Sequence, residues 1–96
     1  MSPLNKKKLA IIRNKLDKLD NSLIKIIKQR TILVSNVLKL KETKKEIVDK
    51  IRIKKILTNI KNKSLKNNID PKITQRIWKS MIWSYVDYQR RNFKKK

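Results

Sequence analysis

The fold is decided by residues 9–40, LAIIRNKLDKLDNSLIKIIKQRTILVSNVLKL, in which apolar side chains recur every three or four positions. The series comprises Leu9, Ile12, Leu16, Leu19, Leu23, Ile26, Leu33, Val37 and Leu40, and Arg30 interrupts it. We call this series the heptad seam. A seam sustained over more than four repeats is typical of a long helix that pairs with another helix. It predicts a first helix over residues 6–42, about 50 Å long at ~1.5 Å per residue.

Two shorter helices are predicted after the first. Polar residues 42–46 break the seam and predict a loop. A second helix is predicted from Ile47 to about Leu65, with an inner apolar face that comprises Ile47, Ile51, Ile56 and Ile60. Residues 66–69 form a connector. Asp70-Pro71 predicts the start of a third helix, because Asp caps free amides and proline fits the first helical position. The sequence therefore predicts one all-α domain over residues 1–96 with three helices.

The length of the seam predicts a dimer. Two shorter helices from the same small chain cannot cover a helix of about 50 Å. We expect the seam to pair with its own copy, giving an intertwined homodimer with one long and two shorter helices per subunit. A plain three-helix bundle or a parallel coiled coil would use the same periodicity, but both leave Arg30 in the seam unexplained.

The composition excludes several classes of chemistry. The chain has no Gly, Cys or His. It therefore has no zinc finger, disulfide, thiol nucleophile, imidazole base or glycine-rich phosphate loop, and no metal or cofactor is expected. No apolar run approaches the roughly 20 residues of a membrane span, and the N-terminus lacks the apolar core of a signal peptide. We expect a cytoplasmic protein with no membrane partner.

The charge is strongly basic. Lys and Arg number 28 against seven Asp and Glu, giving a net charge of +21. Such a field attracts nucleic acid without sequence preference. A basic helical nucleic-acid-binding module, using Lys6–Lys8, Lys54-Lys55 and Lys94–Lys96, is one alternative function. We favour solvated lysines over specific nucleic-acid binding.

Polar side chains on apolar faces indicate a different ligand. Arg30 lies in the seam, and Lys41 follows eleven residues later on the same helix face, ~16 Å along the axis. Gln89 and Arg52 are predicted to face inward on the third and second helices, with Asp49 as a partial counter-charge. Each residue alone is explained by a snorkelling surface side chain. Together they favour a small anionic ligand, and bidentate arginine suits carboxylates.

Arg13 connects this site to the predicted dimer. It precedes Lys41 by 28 residues, or ~42 Å along one straight helix, so the two side chains cannot share a ligand within one subunit. Antiparallel pairing of two first helices brings Arg13 of one subunit near Arg30 and Lys41 of the other.

These residues resemble those of the all-helical (type II) chorismate mutases, a family that includes the isochorismate-pyruvate lyases. The resemblance covers nearly the whole chain and depends most on the Arg13–Arg30 spacing of 17 and the Arg30–Lys41 spacing of 11. Asp49-Lys50-Ile51-Arg52 opens the second helix in this comparison, and Gln89 lies near the end of the third.

The resemblance implies a chorismate mutase, an isomerase of aromatic amino acid biosynthesis that rearranges chorismate to prephenate. It implies that Arg30 and the partner subunit's Arg13 bind the two substrate carboxylates, and that Lys41 and Gln89 donate hydrogen bonds to the ether oxygen. It also implies that Arg52 supports the carboxylate side and that Asp49 lies at the edge of the pocket. The shikimate pathway then supplies the dicarboxylate substrate.

Two residues depart from the mutase pattern. Ile53 stands where mutases commonly place a Glu that contacts the ring hydroxyl, and Tyr85 stands where they often carry a small hydroxyl residue. The segment around Tyr85 looks closer to that of the isochorismate-pyruvate lyases, which form salicylate and pyruvate. The lyase is therefore the alternative activity, and a purely structural homodimer is a further one that leaves Arg30 unexplained.

Overall fold

The computed structural model describes residues 1–94, which form three α-helices and one 3₁₀ turn. Helix α1 spans Pro3–Leu40, the 3₁₀ turn spans Lys44–Ile47, α2 spans Lys50–Lys66 and α3 spans Pro71–Asn92. No strand occurs in these residues, so the all-α prediction with three helices is confirmed. None of the described helices is long and apolar enough to cross a bilayer. Of the predicted basic cluster Lys94–Lys96, the last two residues lie outside the described range.

Helix α1 begins three residues before the predicted start. The Ser2 side chain accepts a hydrogen bond from the backbone N–H of Asn5 at 3.2 Å, and Pro3 occupies the first helical position. These are the features of a capped helix N-terminus. The helix ends at Leu40 rather than Glu42, which is the second correction to its bounds.

The predicted start of the second helix at Ile47 is wrong. Ile47 belongs to the 3₁₀ turn and is 3% exposed, because its side chain packs in the core with Leu38 and Val86. Helix α2 begins at Lys50 because Asp49 caps it, with its Oδ1 accepting the backbone N–H of Arg52 at 3.0 Å. The break between the two segments places Ile47 in the core and Asp49 at a helix N-terminus.

Helices α2 and α3 are joined by a turn that replaces the usual glycine with asparagine. Asn68 has φ 56°, the left-handed conformation that ends many helices. The backbone N–H of Ile69 bonds to the Ser64 carbonyl at 2.9 Å, and that of Asn68 to the Leu65 carbonyl at 3.3 Å. The Asp70 cap accepts the Lys72 N–H at 2.9 Å, so the predicted start of α3 is confirmed.

The contact between α2 and α3 includes two polar links. The Ser64 hydroxyl donates to the Ile60 carbonyl at 2.6 Å and is hydrogen-bonded to the Thr74 hydroxyl at 2.7 Å. The Gln75 amide donates to the Leu57 carbonyl at 2.8 Å. These bonds satisfy polar groups where the two helices pack and fix their mutual register.

The inner face of α2 differs from the prediction. Its partly buried residues include Ile53, Ile56, Leu57 and Ile60. Ile51 is 85% exposed and Arg52 is exposed, so placing both on the inner face was wrong for the single chain. At 100° per residue Ile51 lies ~160° around the helix from Ile53, on the opposite side.

The chain divides into two compact units, Met1–Leu33 and Val34–Lys96, which we call the N-terminal and C-terminal units. The core of the C-terminal unit contains Leu38, Ile47 and Val86, with Val48 and Phe93 packed against it. In the N-terminal unit the seam is exposed, with Leu16, Leu19 and Leu23 between 52% and 61% accessible. The homodimer and the single domain over residues 1–96 stay predictions.

Candidate active site

The C-terminal unit brings two of the predicted site residues into direct contact. Lys41 Nζ donates a hydrogen bond to Gln89 Oε1 at 2.8 Å. Lys41 follows the last residue of α1, and Gln89 lies near the C-terminal end of α3, 48 residues later. Gln89 is buried at 7% exposure and Lys41 is half-buried. A cation and an amide thus meet at a partly dehydrated point.

Burial changes the acid–base behaviour of Lys41. Desolvation lowers the pKa of the Lys41 ammonium from its ordinary value of 10.5, and the carboxylates of Asp49 and Glu46 partly offset this effect. Desolvation disfavours the charged form of an amine, whereas nearby negative charges favour it. A further anion beside Lys41 would therefore be stabilised by the ammonium and would raise its pKa in turn.

The contact with Lys41 also orients the Gln89 amide. An ammonium can only donate, so the side of the amide that faces it carries Oε1, and the NH₂ group points away. Nε2 donates one hydrogen bond to the Tyr85 backbone carbonyl at 3.2 Å. An amide nitrogen has two N–H groups, and within residues 1–94 the second one is open to a ligand.

A tyrosine pair beside Gln89 was not identified from the sequence. The rings of Tyr85 and Tyr88 meet edge to face at a centroid distance of 6.5 Å. The Tyr88 hydroxyl is hydrogen-bonded to the Ser35 hydroxyl at 2.9 Å. The spacing of three between the tyrosines was the available signal, since it places both on one helix face. The hydrogen bond between Tyr88 and Ser35 links this turn of α3 to α1.

Asp49, predicted as a partial counter-charge, contacts the backbone of Arg52. The Asp49 carboxylate caps α2 through the backbone N–H of Arg52 rather than through its guanidinium. The Arg52 side chain is exposed. It is therefore accessible to an anion, whereas Asp49 contributes negative charge near Lys41.

The remaining two predicted residues belong to the N-terminal unit. Arg13 is exposed, and Arg30 is half-buried. The Nε atom of Arg30 is buried and has no hydrogen-bond partner in the described part of the chain. A buried guanidinium N–H without an acceptor is costly, and an anion within hydrogen-bond distance would offset that cost.

The described residues offer no metal site. No group of three or more His, Cys, Asp or Glu side chains among residues 1–94 is placed to hold a metal ion. Apart from the Asp49 carboxylate, the charged and amide groups of the candidate site supply donors: an ammonium, an amide NH₂ and guanidinium groups. This donor set suits an anionic, oxygen-rich ligand.

Comparison with known proteins identifies the family. The sequence profile described as chorismate mutase type II matches residues 12–90, a stretch that contains all seven predicted site residues. No curated protein and no solved structure matches the chain. The profile spans most of the 96 residues and agrees with the three-helix architecture. The chain therefore belongs to the type II chorismate mutase family.

Proposed function

We propose that this protein rearranges chorismate to prephenate at a site built on Lys41 and Gln89. The observation that carries the proposal is the 2.8 Å hydrogen bond between Lys41 Nζ and Gln89 Oε1. It joins a partly desolvated cation to an amide whose NH₂ group has a donor to spare. The ammonium and the amide N–H are donor groups on two side chains in contact, which suits hydrogen bonding to the ether oxygen of chorismate.

The reaction requires few other chemical groups from the protein. Chorismate rearranges in one pericyclic step without proton transfer, covalent intermediate, metal or cofactor. Negative charge grows on the ether oxygen as its bond breaks, and donors already aimed at that oxygen lower the barrier. Holding the compact conformer supplies the rest. The lack of His and Cys is therefore no obstacle to this chemistry.

Arginines would bind the two substrate carboxylates. Arg30 supports this role because its buried Nε has no partner in the described residues, and a carboxylate would supply one. We assign the second carboxylate to Arg13 of a partner subunit, with Arg52 assisting. Asp49 would limit the pocket on the side of Lys41, where desolvation lowers the pKa of the ammonium and the Asp49 carboxylate partly offsets that shift. Tyr85 would face the substrate beside Gln89.

The partner subunit would cover the seam. Leu16, Leu19 and Leu23 are more than half exposed at helical spacing, an arrangement that favours pairing with a second helix. A second copy in antiparallel orientation provides that helix. The active unit would be an intertwined homodimer, and each site would take Arg13 from the other chain.

The isochorismate-pyruvate lyase activity is the second candidate. Ile53 is half-buried on α2 and cannot accept a hydrogen bond from a ring hydroxyl. Isochorismate carries its hydroxyl at a different ring position, so this apolar side chain does not disfavour it. The lyase reaction would use the same cationic groups and release pyruvate.

The decisive experiment gives purified protein chorismate and isochorismate separately and identifies the products by chromatography. Prephenate as the main product supports the proposal, and salicylate as the dominant product from isochorismate supports the lyase. The variant Arg30→Ala should lower turnover more than about a hundredfold, since losing a charge-assisted pair costs about 3 kcal/mol. Arg76→Ala removes an exposed arginine of α3 and serves as the control. Equal activity in both variants would contradict the assignment of Arg30.

Sharing of the site between subunits has its own test. Arg13→Ala and Lys41→Ala proteins are each expected to be inactive, but a mixed dimer retains one intact site. Random re-association after mixing should restore about a quarter of wild-type activity, because half of the dimers are mixed and each has one working site. If mixing restores nothing while light scattering shows exchange of subunits, Arg13 does not act across the interface.

A further inference from the structure

A groove in the C-terminal unit has neither Lys41 nor Gln89 among its lining residues. It has a volume of about 510 Å³ and lies where α2 packs on α3. Its walls are mainly apolar, and its lining residues are Lys50, Ile53, Lys54, Leu57, Thr58, Lys61, Gln75 and Trp83. Of the residues discussed for the proposed reaction, Ile53 also lines the groove. The groove therefore needs its own explanation.

The groove is edged by a row of cations. Lys50, Lys54 and Lys61 lie within ~40° of one another around α2 and span about 16 Å, or three helical turns. All three side chains are exposed. Helix α2 as a whole has seven Lys and Arg among its 17 residues and no carboxylate. The potential along this edge is thus positive, with no acidic group on the same helix to neutralise it.

The floor of the groove exposes aromatic surface. Trp83 is 51% exposed although an indole gains much free energy from burial. Leu57 lies beside it on α2, and the Gln75 amide is already bonded to the Leu57 carbonyl at 2.8 Å. A partly exposed tryptophan in an apolar depression is the kind of anchor point at which protein interfaces concentrate their binding free energy.

We propose that this groove binds an acidic amphipathic helix from another protein. Such a helix would carry apolar side chains one and two turns apart, and these would contact Trp83 and Leu57. Its flanking Glu and Asp side chains would form ion pairs with Lys50, Lys54 and Lys61. Helix-in-groove recognition uses this combination of apolar anchors and charged flanks. A ligand helix of three turns is as long as the row of Lys50, Lys54 and Lys61, about 16 Å.

A second copy of this chain is a poor occupant on grounds of charge. The described helices contain ten, seven and five Lys and Arg against two, zero and one Asp, in the order α1, α2 and α3. None offers the acidic face that the lysine row would select, and seating any of them in the groove beside Lys50, Lys54 and Lys61 opposes like charges. The complementary partner is therefore a different, acidic protein.

The test uses the full chain and a fluorescein-labelled synthetic peptide of 15 residues. The peptide carries three Leu on one helical face with Glu on both sides, and a scrambled peptide of identical composition is its control. Fluorescence anisotropy at 0.15 M salt should give a Kd on the order of 10–100 µM for the first peptide. The scrambled peptide should bind at least about tenfold more weakly, because charge alone does not fill the groove.

Matched protein variants separate the groove from the overall charge. Lys54→Glu with Lys61→Glu should weaken binding at least about tenfold. Lys55→Glu with Lys63→Glu makes the same change in net charge at exposed positions of α2 outside the groove lining, and should weaken it less than about threefold. The double variant Lys54→Gln with Lys61→Gln should weaken peptide binding by an intermediate amount. It replaces the charge-reversal variant if circular dichroism shows that the reversals alter the helix content. Trp83→Ala should also weaken binding.

Several results would overturn the proposal. Equal losses in the two charge-reversal pairs, or equal binding of the scrambled peptide, would mean that only the overall charge attracts the peptide. A DNA duplex that competes with the peptide and distinguishes the same variants would assign the lysine row to nucleic acid. A change of oligomeric state on Lys54→Glu with Lys61→Glu, seen by sedimentation, would make the groove an interface between copies of this chain.

Discussion

The contact between Lys41 and Gln89 gives a sharp prediction for Gln89→Glu. This change keeps the size of the side chain and the oxygen that lies 2.8 Å from Lys41 Nζ. It replaces the NH₂ group with a second oxygen, so a donor is lost and a negative charge is gained. The proposed mechanism needs a donor at this point, because charge grows on the substrate's ether oxygen.

The expected loss is large. Removing one preorganised donor from a site of developing negative charge costs about 3–4 kcal/mol, or 10²–10³-fold in rate. A carboxylate about 3 Å from that charge adds up to about 5 kcal/mol of repulsion at an effective dielectric constant of about 20, and the attraction of Lys41 offsets part of it. Turnover of chorismate at pH 7.5 should therefore fall at least about 10³-fold.

The loss should be reversible by acid. Below the pKa of the introduced Glu, its protonated form has an O–H donor and no charge, so activity should rise about tenfold per pH unit as the pH falls. Gln89→Leu removes the donor without adding a titrating group and should stay 10²–10³-fold impaired at every pH. The assay is the initial rate of chorismate loss from pH 4.5 to 8, with helix content followed by circular dichroism. A Gln89→Glu protein with near-normal activity at pH 7.5, or with no recovery in acid, would refute the donor role.

Three further predictions follow from the same site. Because the pKa of Lys41 is lowered from 10.5, kcat/KM should decline on the alkaline side with a midpoint below that value, and Lys41→Arg should move the decline to higher pH. Ile53→Glu should lower the KM for chorismate if the pocket is a mutase pocket, with product ratios on both substrates as the readout; an increase in salicylate formation would argue for the lyase. Binding of DNA should be independent of sequence and lost by about 0.3 M salt, as filter binding or anisotropy can measure, whereas a tight, sequence-selective complex at that salt would favour the nucleic-acid module.

The helix boundaries show which structural features could be predicted from local sequence signals. Asp70-Pro71 predicted the start of α3 correctly, and Ser2-Pro3 carried the same combination of cap and proline but was not read as a helix start. The predicted end of α2 near Leu65 lies within one residue of the observed end at Lys66, although the chain has no Gly and the left-handed turn residue is Asn68. Helix capping involves residues that are close together in the sequence. A helix start can therefore be predicted when the capping residue and the proline after it are both identified.

The tertiary contacts were harder to predict from the sequence, and the reason is physical. Periodicity alone placed Ile47 and Ile51 on one helix face, but the break before Asp49 separates them, so that Ile47 is buried and Ile51 is exposed. Spacing along one helix also says nothing about which residue of another helix meets it. The contact between Lys41 and Gln89 spans 48 residues, and only the family resemblance had placed them together.

Position, rather than the amount of positive charge, distinguishes the proposed catalytic lysine. Lys54, Lys55 and Lys61 are exposed, so water and salt screen their charge and each interacts weakly with a distant anion. Lys41 is half-buried, is oriented by Gln89 and has lost enough hydration to lower its pKa. An electrostatic interaction strengthens as the effective dielectric constant falls, so one oriented lysine at such a point stabilises developing charge more than many solvated ones. The net charge of +21 would speed the approach of an anionic substrate, whereas the rate of the chemical step would depend on the pair.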